Sequence, residues 1–196
     1  MQQVSALRSR LGGRNLYLVG MMGAGKSTVG RPLAEQLGYG FVDADSTIEA
    51  CSGRSISAIF AEDGERGFRA IETAVLNQIA CRHSLVVATG GGIVTEAVNW
   101  GHMHQGLVLW LDPDRNVLLQ RLREQPGGRP LLAGEGDPAA RLDALLEARR
   151  PLYAQADVHL AITQETPEQV VSALLEAIAA RLQAPGLGGS SRTANH

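Results

Sequence analysis

Residues 20–28 read GMMGAGKST, and residues 20–27 match the spacing G-x-x-x-x-G-K-[ST]. Gly20, Gly23 and Gly25 allow the backbone to turn so that successive N–H groups point inward as an anion nest. An apolar run, NLYLV, precedes the loop and a helix-like run, VGRPLAEQL, follows it. The start of that helix adds the positive end of its dipole. Lys26 could reach the β- and γ-phosphates of a nucleotide, and Ser27 could offer its hydroxyl to a magnesium ion. The chain has 18 Lys+Arg, and Lys26 is its single lysine. A compact ammonium fits a ring of backbone amides better than a planar guanidinium does. The stretch is a signature for binding a nucleoside triphosphate, and it does not specify the acceptor.

Residues elsewhere in the chain bear on the acceptor. The DAD triplet at Asp43 and Asp45 closes an apolar run, and a strand of period two would set both acids on one side. At the carboxyl edge of a parallel sheet that side faces the ligand crevice. One acid could hold metal-bound water and the other could accept a hydrogen bond from an attacking hydroxyl. The competing role is helix capping, which Ser46 and Glu49 could perform instead. In GFRAIE, Arg69 and Glu72 are three residues apart, on one helical face. They form either a surface pair worth roughly 0.2–0.5 kcal/mol or an arginine held in place to grip a carboxylate with two prongs. TGGG at residues 89–92 would let a ligand lie against bare backbone. ARRPLY adds Arg149 and Arg150 near a helix end. Two arginines, an acid and bare backbone together point to a polyhydroxylated carboxylic acid.

Other classes of phosphate-loop protein fit less well. A GTP switch protein needs an N-K-x-D stretch, which a single lysine at position 26 rules out. A motor or transporter ATPase needs an apolar strand ending in acids. LVLWLD ends in Asp112, which reads better as a helix cap before Pro113, since no second acid follows directly. A small-molecule kinase needs a pocket for a second substrate, and the residues above supply one.

The elements that must position these groups alternate along the chain. Strand-like runs fall at 16–20, 40–45, 84–90, 106–112 and 157–162. Stretches with helical spacing fall at 25–38, 46–82 in pieces, 94–103, 113–124, 138–156 and 167–183. This alternation predicts an α/β fold with a parallel sheet. Asp112-Pro113, Asp137-Pro138 and Thr166-Pro167 each pair a capping side chain with a proline suited to the first helical position. With 196 residues the chain is long enough for one domain with a sizeable core. Residues 1–13 are expected to be a flexible N-terminus, 14–183 a single kinase domain, and 184–196 a disordered tail. A net charge of -2 gives no general pull toward nucleic acid or an acidic membrane. No apolar run approaches the ~20 residues of a membrane span, and no secretory leader is evident. The expected location is therefore cytoplasmic. Cys51 and Cys81, the two cysteines, are expected to be buried or half-buried thiols in a reducing compartment. Residues 124–138 hold four glycines and three prolines around RPLL, a long loop that reads as a lid carrying Arg129.

In order along the chain, GMMGAGKSTVGRPLA, FVDAD..IE...G.SI..IF...GE..FR..E, ATGGG, RPLL and RRPLY resemble the shikimate kinase family from about Leu16 to Leu182. The resemblance implies a five-stranded parallel sheet flanked by helices, a phosphate-loop kinase with a mobile lid, similar to nucleoside monophosphate kinases. It implies transfer of the γ-phosphoryl of ATP to the 3-hydroxyl of shikimate, on the route to chorismate and the aromatic amino acids. Gly23, Ala24, Gly25, Lys26, Ser27 and Thr28 would wrap the phosphates, with Ser27 on Mg2+ and Asp43 holding the metal through water. Asp45 would bind the shikimate hydroxyls and orient or deprotonate the attacking one. Arg69 and Arg149 would grip the carboxylate beside the backbone of Gly91. Arg129 would swing in with the lid to complete the catalytic set with Lys26 and Asp45. Arg121 and Arg123 both qualify as the adenine-contacting arginine. The loop TQETPEQ should touch adenine, with Glu165 an unusual residue there. The expected partners are ATP and shikimate, with no nucleic acid or membrane, and the expected state is a monomer. A gluconate or nucleoside monophosphate kinase is the alternative enzyme, and a nucleotide-binding regulator without turnover the alternative class.

Overall fold

Leu16 and Leu18 face one side of the sheet, and Tyr17 and Val19 face the other; all four are buried. A strand buried on both faces must be covered by helices on both, and so the rest of the chain is arranged. The computed structural model describes residues 2–124 and 137–183. In chain order the elements are α1 (Gln2–Leu11), β1 (Leu16–Val19), α2 (Lys26–Leu37), β2 (Gly40–Asp43), α3 (Ala44–Ser52), α4 (Ile56–Ala80), β3 (Leu85–Ala88), a 3-10 turn (Ile93–Thr95), α5 (Ala97–Met103), β4 (Leu107–Pro113), α6 (Arg115–Glu124), α7 (Pro138–Tyr153), β5 (Val158–Ile162) and α8 (Pro167–Gln183). The five strands form one parallel sheet in the order β2-β3-β1-β4-β5. This is the five-stranded α/β fold that the sequence predicts.

One core layer joins Leu16, Leu18, Val86 and Leu109 to Leu33 of α2 and Leu174 of α8. The other joins Tyr17, Val87, Val108 and Trp110 to Phe68 and Leu76 of α4 and Met103 of α5. Burying one side chain such as Leu18 contributes about 1.5–3 kcal/mol. Strand order sets the working end. β1 and β3 are neighbours in register, Leu18 opposite Ala88. The loop after β1 and the glycine run after β3 therefore emerge side by side.

Several local expectations change. Residues 2–11, expected to be loosely held, form α1, whose Leu7 and Leu11 enter the core. A helix that buries two leucines is docked whatever its place near the chain end. Asp112 does not cap a helix. β4 runs through Pro113, which sits opposite Ile162, and Asp114 takes over the cap by accepting from Asn116 N–H at 2.8 Å. The Asp112 carboxylate instead accepts from Arg150 Nη2 at 3.3 Å and bonds His159 at 2.9 Å. Cys51 and Cys81 are both exposed thiols, not buried ones. The other two caps hold. Asp137 accepts from Ala139 N–H at 3.0 Å, and Thr166 exchanges bonds with Gln169 in a capping box. Residues 125–136 and 184–196, which include the expected lid, Arg129 and the tail, lie outside the described residues.

Candidate active site

The phosphate loop is held by the strand before it and the helix after it. Gly25 is the residue before α2 and adopts φ 89°, a left-handed conformation that favours glycine. Lys26 opens α2 and is buried, and its Nζ donates to the Gly20 carbonyl at 2.8 Å and the Met21 carbonyl at 3.0 Å. The ammonium thus reaches back across the loop. Ser27 Oγ donates to Asp43 Oδ2 at 2.5 Å. This pairing joins the start of α2 to the end of β2 and sets two hard oxygen donors side by side beside the loop. Such a pair fits a magnesium ion, which takes oxygen ligands and keeps several waters.

Asp43 and Asp45 reach the site by a different route from the one expected. β2 ends at Asp43, which is itself the N-cap of α3 and accepts from Ser46 N–H at 3.1 Å. Ser46 therefore receives the cap and does not supply it, and Glu49 accepts from Ile56 N–H at 2.9 Å. Asp45 lies in the first turn of α3, so strand periodicity does not apply to it. The turn nonetheless aims its carboxylate at the glycine run: a Cβ on Gly90 would stand 3.1 Å from Asp45 Oδ1. Burial raises the Asp45 pKa and Lys26 opposes the rise, while Asp43 and Glu49 add to it. The side chain is open to solvent on one side, yet protein groups crowd the carboxyl on the others, as on a cleft wall.

Arg69 and Glu72 are a buried pair on α4, not a surface one. Arg69 Nη1 donates to Glu72 Oε2 at 2.8 Å, and Arg69 Nη2 donates to Glu65 Oε1 at 2.9 Å. Burial works against the guanidinium charge, but Glu72 and Glu65 together outweigh it and push Arg69 above its ordinary value. Burial raises the Glu72 carboxyl, with Arg69 opposing. Among the described residues, Arg69 Nε and Glu72 Oε1 have no hydrogen-bond partner.

The three glycines after β3 each meet a different neighbour. A Cβ on Gly90 would collide with Glu72 Oε1. One on Gly91 would stand 3.1 Å from the Met22 nitrogen of the phosphate loop. One on Gly92 would strike the Arg69 guanidinium. The run is thus the seam between the phosphate loop and the Arg69–Glu72 pair. On α7, buried Arg149 donates to the Gly91 carbonyl at 3.2 Å, and Tyr153 donates to the same oxygen at 2.5 Å. Burial pushes the Tyr153 phenol up to about 12, so it remains a donor at neutral pH. Arg150 points instead to Asp112.

Of the residues expected from the sequence, the structure brings together Gly23, Ala24, Gly25, Lys26, Ser27, Thr28, Asp43, Asp45, Arg69, Gly91 and Arg149; Arg129 is outside the described residues. Arg121 donates to the Gly23 carbonyl at 3.0 Å and lines a cavity of about 250 Å³ with Gly25, Thr28, Glu165 and Pro167. Arg123 lines a separate depression along α6. Glu165 turns back on its own loop, accepting from Thr163 N–H at 2.6 Å and Gln164 N–H at 3.0 Å. Sequence reasoning missed Tyr153 and Glu65. Tyr153 stood in RRPLY, but its role depends on a carbonyl contributed by Gly91, in the glycine run after β3. Glu65 lies four residues before Arg69, a spacing that alone could mark an ordinary helical pair.

Comparison with known proteins places this geometry. A family model described as shikimate kinase matches residues 22–179. A shikimate kinase of Parasynechococcus marenigrum is 59% identical over 180 residues, covering 92% of this chain and 94% of that protein. Among solved structures, shikimate kinase from Acinetobacter baumannii in complex with shikimate is 41% identical with a TM-score of 0.84, covering 89% of this chain and 97% of that one. Shikimate kinase from Aquifex aeolicus is 33% identical with a TM-score of 0.74, covering 89% and 99%. The family model covers the phosphate loop from Met22 onward, the Asp43–Asp45 turn, the arginines and the glycine seam, and together with these relatives it shows that the chain belongs to the shikimate kinase family.

Proposed function

We propose that this chain transfers the γ-phosphoryl group of ATP to the 3-hydroxyl of shikimate, giving shikimate 3-phosphate. The observation that carries the reading is the glycine seam. Two buried arginines, Arg69 and Arg149, stand at a run of bare backbone that abuts the phosphate loop. An anionic acceptor held there lies next to the nucleotide's terminal phosphate, and a large nucleobase is not what two arginines select. The A. baumannii relative, solved in complex with shikimate, supports the same acceptor.

The roles follow from placement. Residues 23–28 hold the phosphates, with Lys26 set to follow charge from ground state to transition state. Ser27 and Asp43 would hold Mg2+, Asp43 through water. The ion, when bound, neutralises charge on the phosphate oxygens. Asp45 orients the attacking hydroxyl and accepts its proton late, since phosphoryl transfer depends more on positioning than on strong base catalysis. Arg69 and Arg149 hold the acceptor's carboxylate beside Gly91. Arg121 takes the adenine side of the nucleotide. Arg129 is assigned from the sequence alone, as a cation added at the transferring phosphoryl. The chain works as a single kinase domain and as a monomer in the cytoplasm, without nucleic acid or membrane. Among the described residues no helix is long and apolar enough to cross a membrane. The test is a coupled assay of ADP release with shikimate, gluconate and nucleoside monophosphates in parallel. The reading expects release with shikimate alone; equal release with and without shikimate overturns it.

A further inference from the structure

Arg69 is the residue best placed to grip the acceptor's carboxylate, yet each of its two terminal nitrogens already donates to a carboxylate. Two carboxylates hold it, and they differ in kind. Glu72 is sealed in, with its side chain 1% exposed, and is fixed on Nη1; Glu65 is 53% exposed and sits on Nη2. Only Glu65 can leave without stranding a buried charge. Glu65 also follows a break in α4: Gly64 has φ 69° and ψ -177°, so Glu65 opens the second helical segment. Glu65 is therefore a carboxylate, on a solvent-exposed side chain, bound to the arginine that must receive another carboxylate.

We propose that Glu65 is a built-in competitor for the acceptor: its carboxylate occupies Arg69 Nη2 in the empty site and is exchanged for the carboxylate of the incoming substrate. The inference rests on the reading of the acceptor as shikimate. The exchange has two consequences. Arg69 never faces the empty cleft with an unpaired Nη2, so the site is held in shape before substrate arrives. Net acceptor affinity is the difference between two carboxylate contacts on one guanidinium, so Glu65 limits how tightly shikimate is held. Glu72 has the opposite role: it keeps its place and stiffens Arg69.

The variants are Glu65→Gln and Glu65→Ala, both at an exposed position where folding is not at stake. The control is Glu62→Gln, which removes a nearby charge paired with Arg54 at 2.8 Å and not with Arg69. Exposed and i,i+4 pairs are weak, so the KM for shikimate should fall by about two- to five-fold in both Glu65 variants. The kcat and the KM for ATP should stay at wild-type values, as should all constants of Glu62→Gln. With shikimate methyl ester as acceptor, which has no carboxylate to exchange, the gain should vanish. A raised or unchanged shikimate KM in the Glu65 variants overturns the exchange, and a rise would make Glu65 a positioning partner like Glu72. An equal fall in Glu62→Gln also overturns it, by showing a bulk charge effect. A wild-type chain that releases no ADP with shikimate overturns the acceptor reading itself, a result distinct from the others.

Discussion

Gly92→Ala separates placement of Arg69 from stability of the fold. Gly92 has φ -102° and ψ 2°, which alanine can adopt, so the backbone is not strained by the change. The new Cβ would stand 2.5 Å from Arg69 Cζ and 2.6 Å from Nη1, closer still to Nη2. Ordinary contact begins at 3.4 Å, so the guanidinium carbon must retreat by at least 0.9 Å, the difference between 3.4 and 2.5 Å. The colliding atoms are the far end of a flexible side chain, so the fold can yield cheaply. The same far end carries the donors that Glu72 holds at 2.8 Å and that the acceptor's carboxylate must meet. Losing one charge-assisted bond is worth roughly 1.5–3 kcal/mol, which is roughly a 10- to 100-fold rise in shikimate KM. The assay is steady-state kinetics with shikimate varied at saturating ATP, alongside thermal melting. Shikimate KM should rise within that range, with the KM for ATP unchanged and the melting temperature within a few degrees of wild type. A normal shikimate KM in a folded variant would refute the placement of the acceptor's carboxylate on Arg69.

Lys26→Met should lose at least about 10²–10³-fold in turnover with an unchanged circular dichroism spectrum; near-normal turnover would remove the loop from the chemistry. Asp45→Asn should cut turnover by about 10²-fold or more while ATP titration shows near-normal affinity. The same variant should melt at a higher temperature than wild type at pH 7 and not at pH 3. Burial raises the Asp45 pKa, so folding is favoured while the group is protonated and that advantage is lost as pH rises from the ordinary value of about 3.9 through the raised one; asparagine, which never ionises, escapes the loss. Arg129→Ala should lower kcat far more than ATP affinity, measured by single-turnover rates and nucleotide titration; equal loss of both would make Arg129 a plain nucleotide contact.

The sheet, the order of its elements and the phosphate loop were legible because each has a local signature. Apolar runs of strand length alternate with helical spacing, and the loop motif carries its own backbone requirement. The acceptor side was legible as residue types but not as geometry. Asp45 was expected on a strand because DAD continues an apolar run. The chain instead turns into α3 at Asp43, where one carboxylate both caps the helix and receives Ser27. Asp112 before Pro113 looked like a cap because proline suits a first helical position. The strand pairing of β4 with β5 carried the chain one step further, and Asp114 took the role. Choosing between Arg121 and Arg123 required the phase of α6 relative to the phosphate loop, which no spacing within the helix reveals. Tyr153 and Gly91 are 62 residues apart, and only the packing of α7 against the 3-10 turn after the glycine run joins them.

The distribution of buried charge supports placing the chemistry here. Among the described residues the buried charged side chains are Lys26, Arg69, Glu72 and Arg149, while the other buried polar ones, Asn15, Thr89 and Asn99, are neutral. Taking a charge out of water costs several kcal/mol unless close partners offset it, and apolar packing of the same volume is often no less stable. A fold selected for stability alone would not gather three cations and an anion at one end of one sheet. Their partners here are also incomplete. Arg69 Nε and Glu72 Oε1 have none among the described residues, and Arg149 must share its acceptor, the Gly91 carbonyl, with Tyr153. Donors held in place but not fully satisfied are what binding and transfer of anions require, because a ligand can complete them without the protein first reorganising. Replacing Arg69 and Glu72 together by apolar side chains of similar volume should therefore cost little stability while it abolishes function, whereas neutralising Glu72 alone strands the Arg69 charge and lowers both. Elsewhere in the core, truncating a residue such as Leu18 or Leu76 should only lower stability.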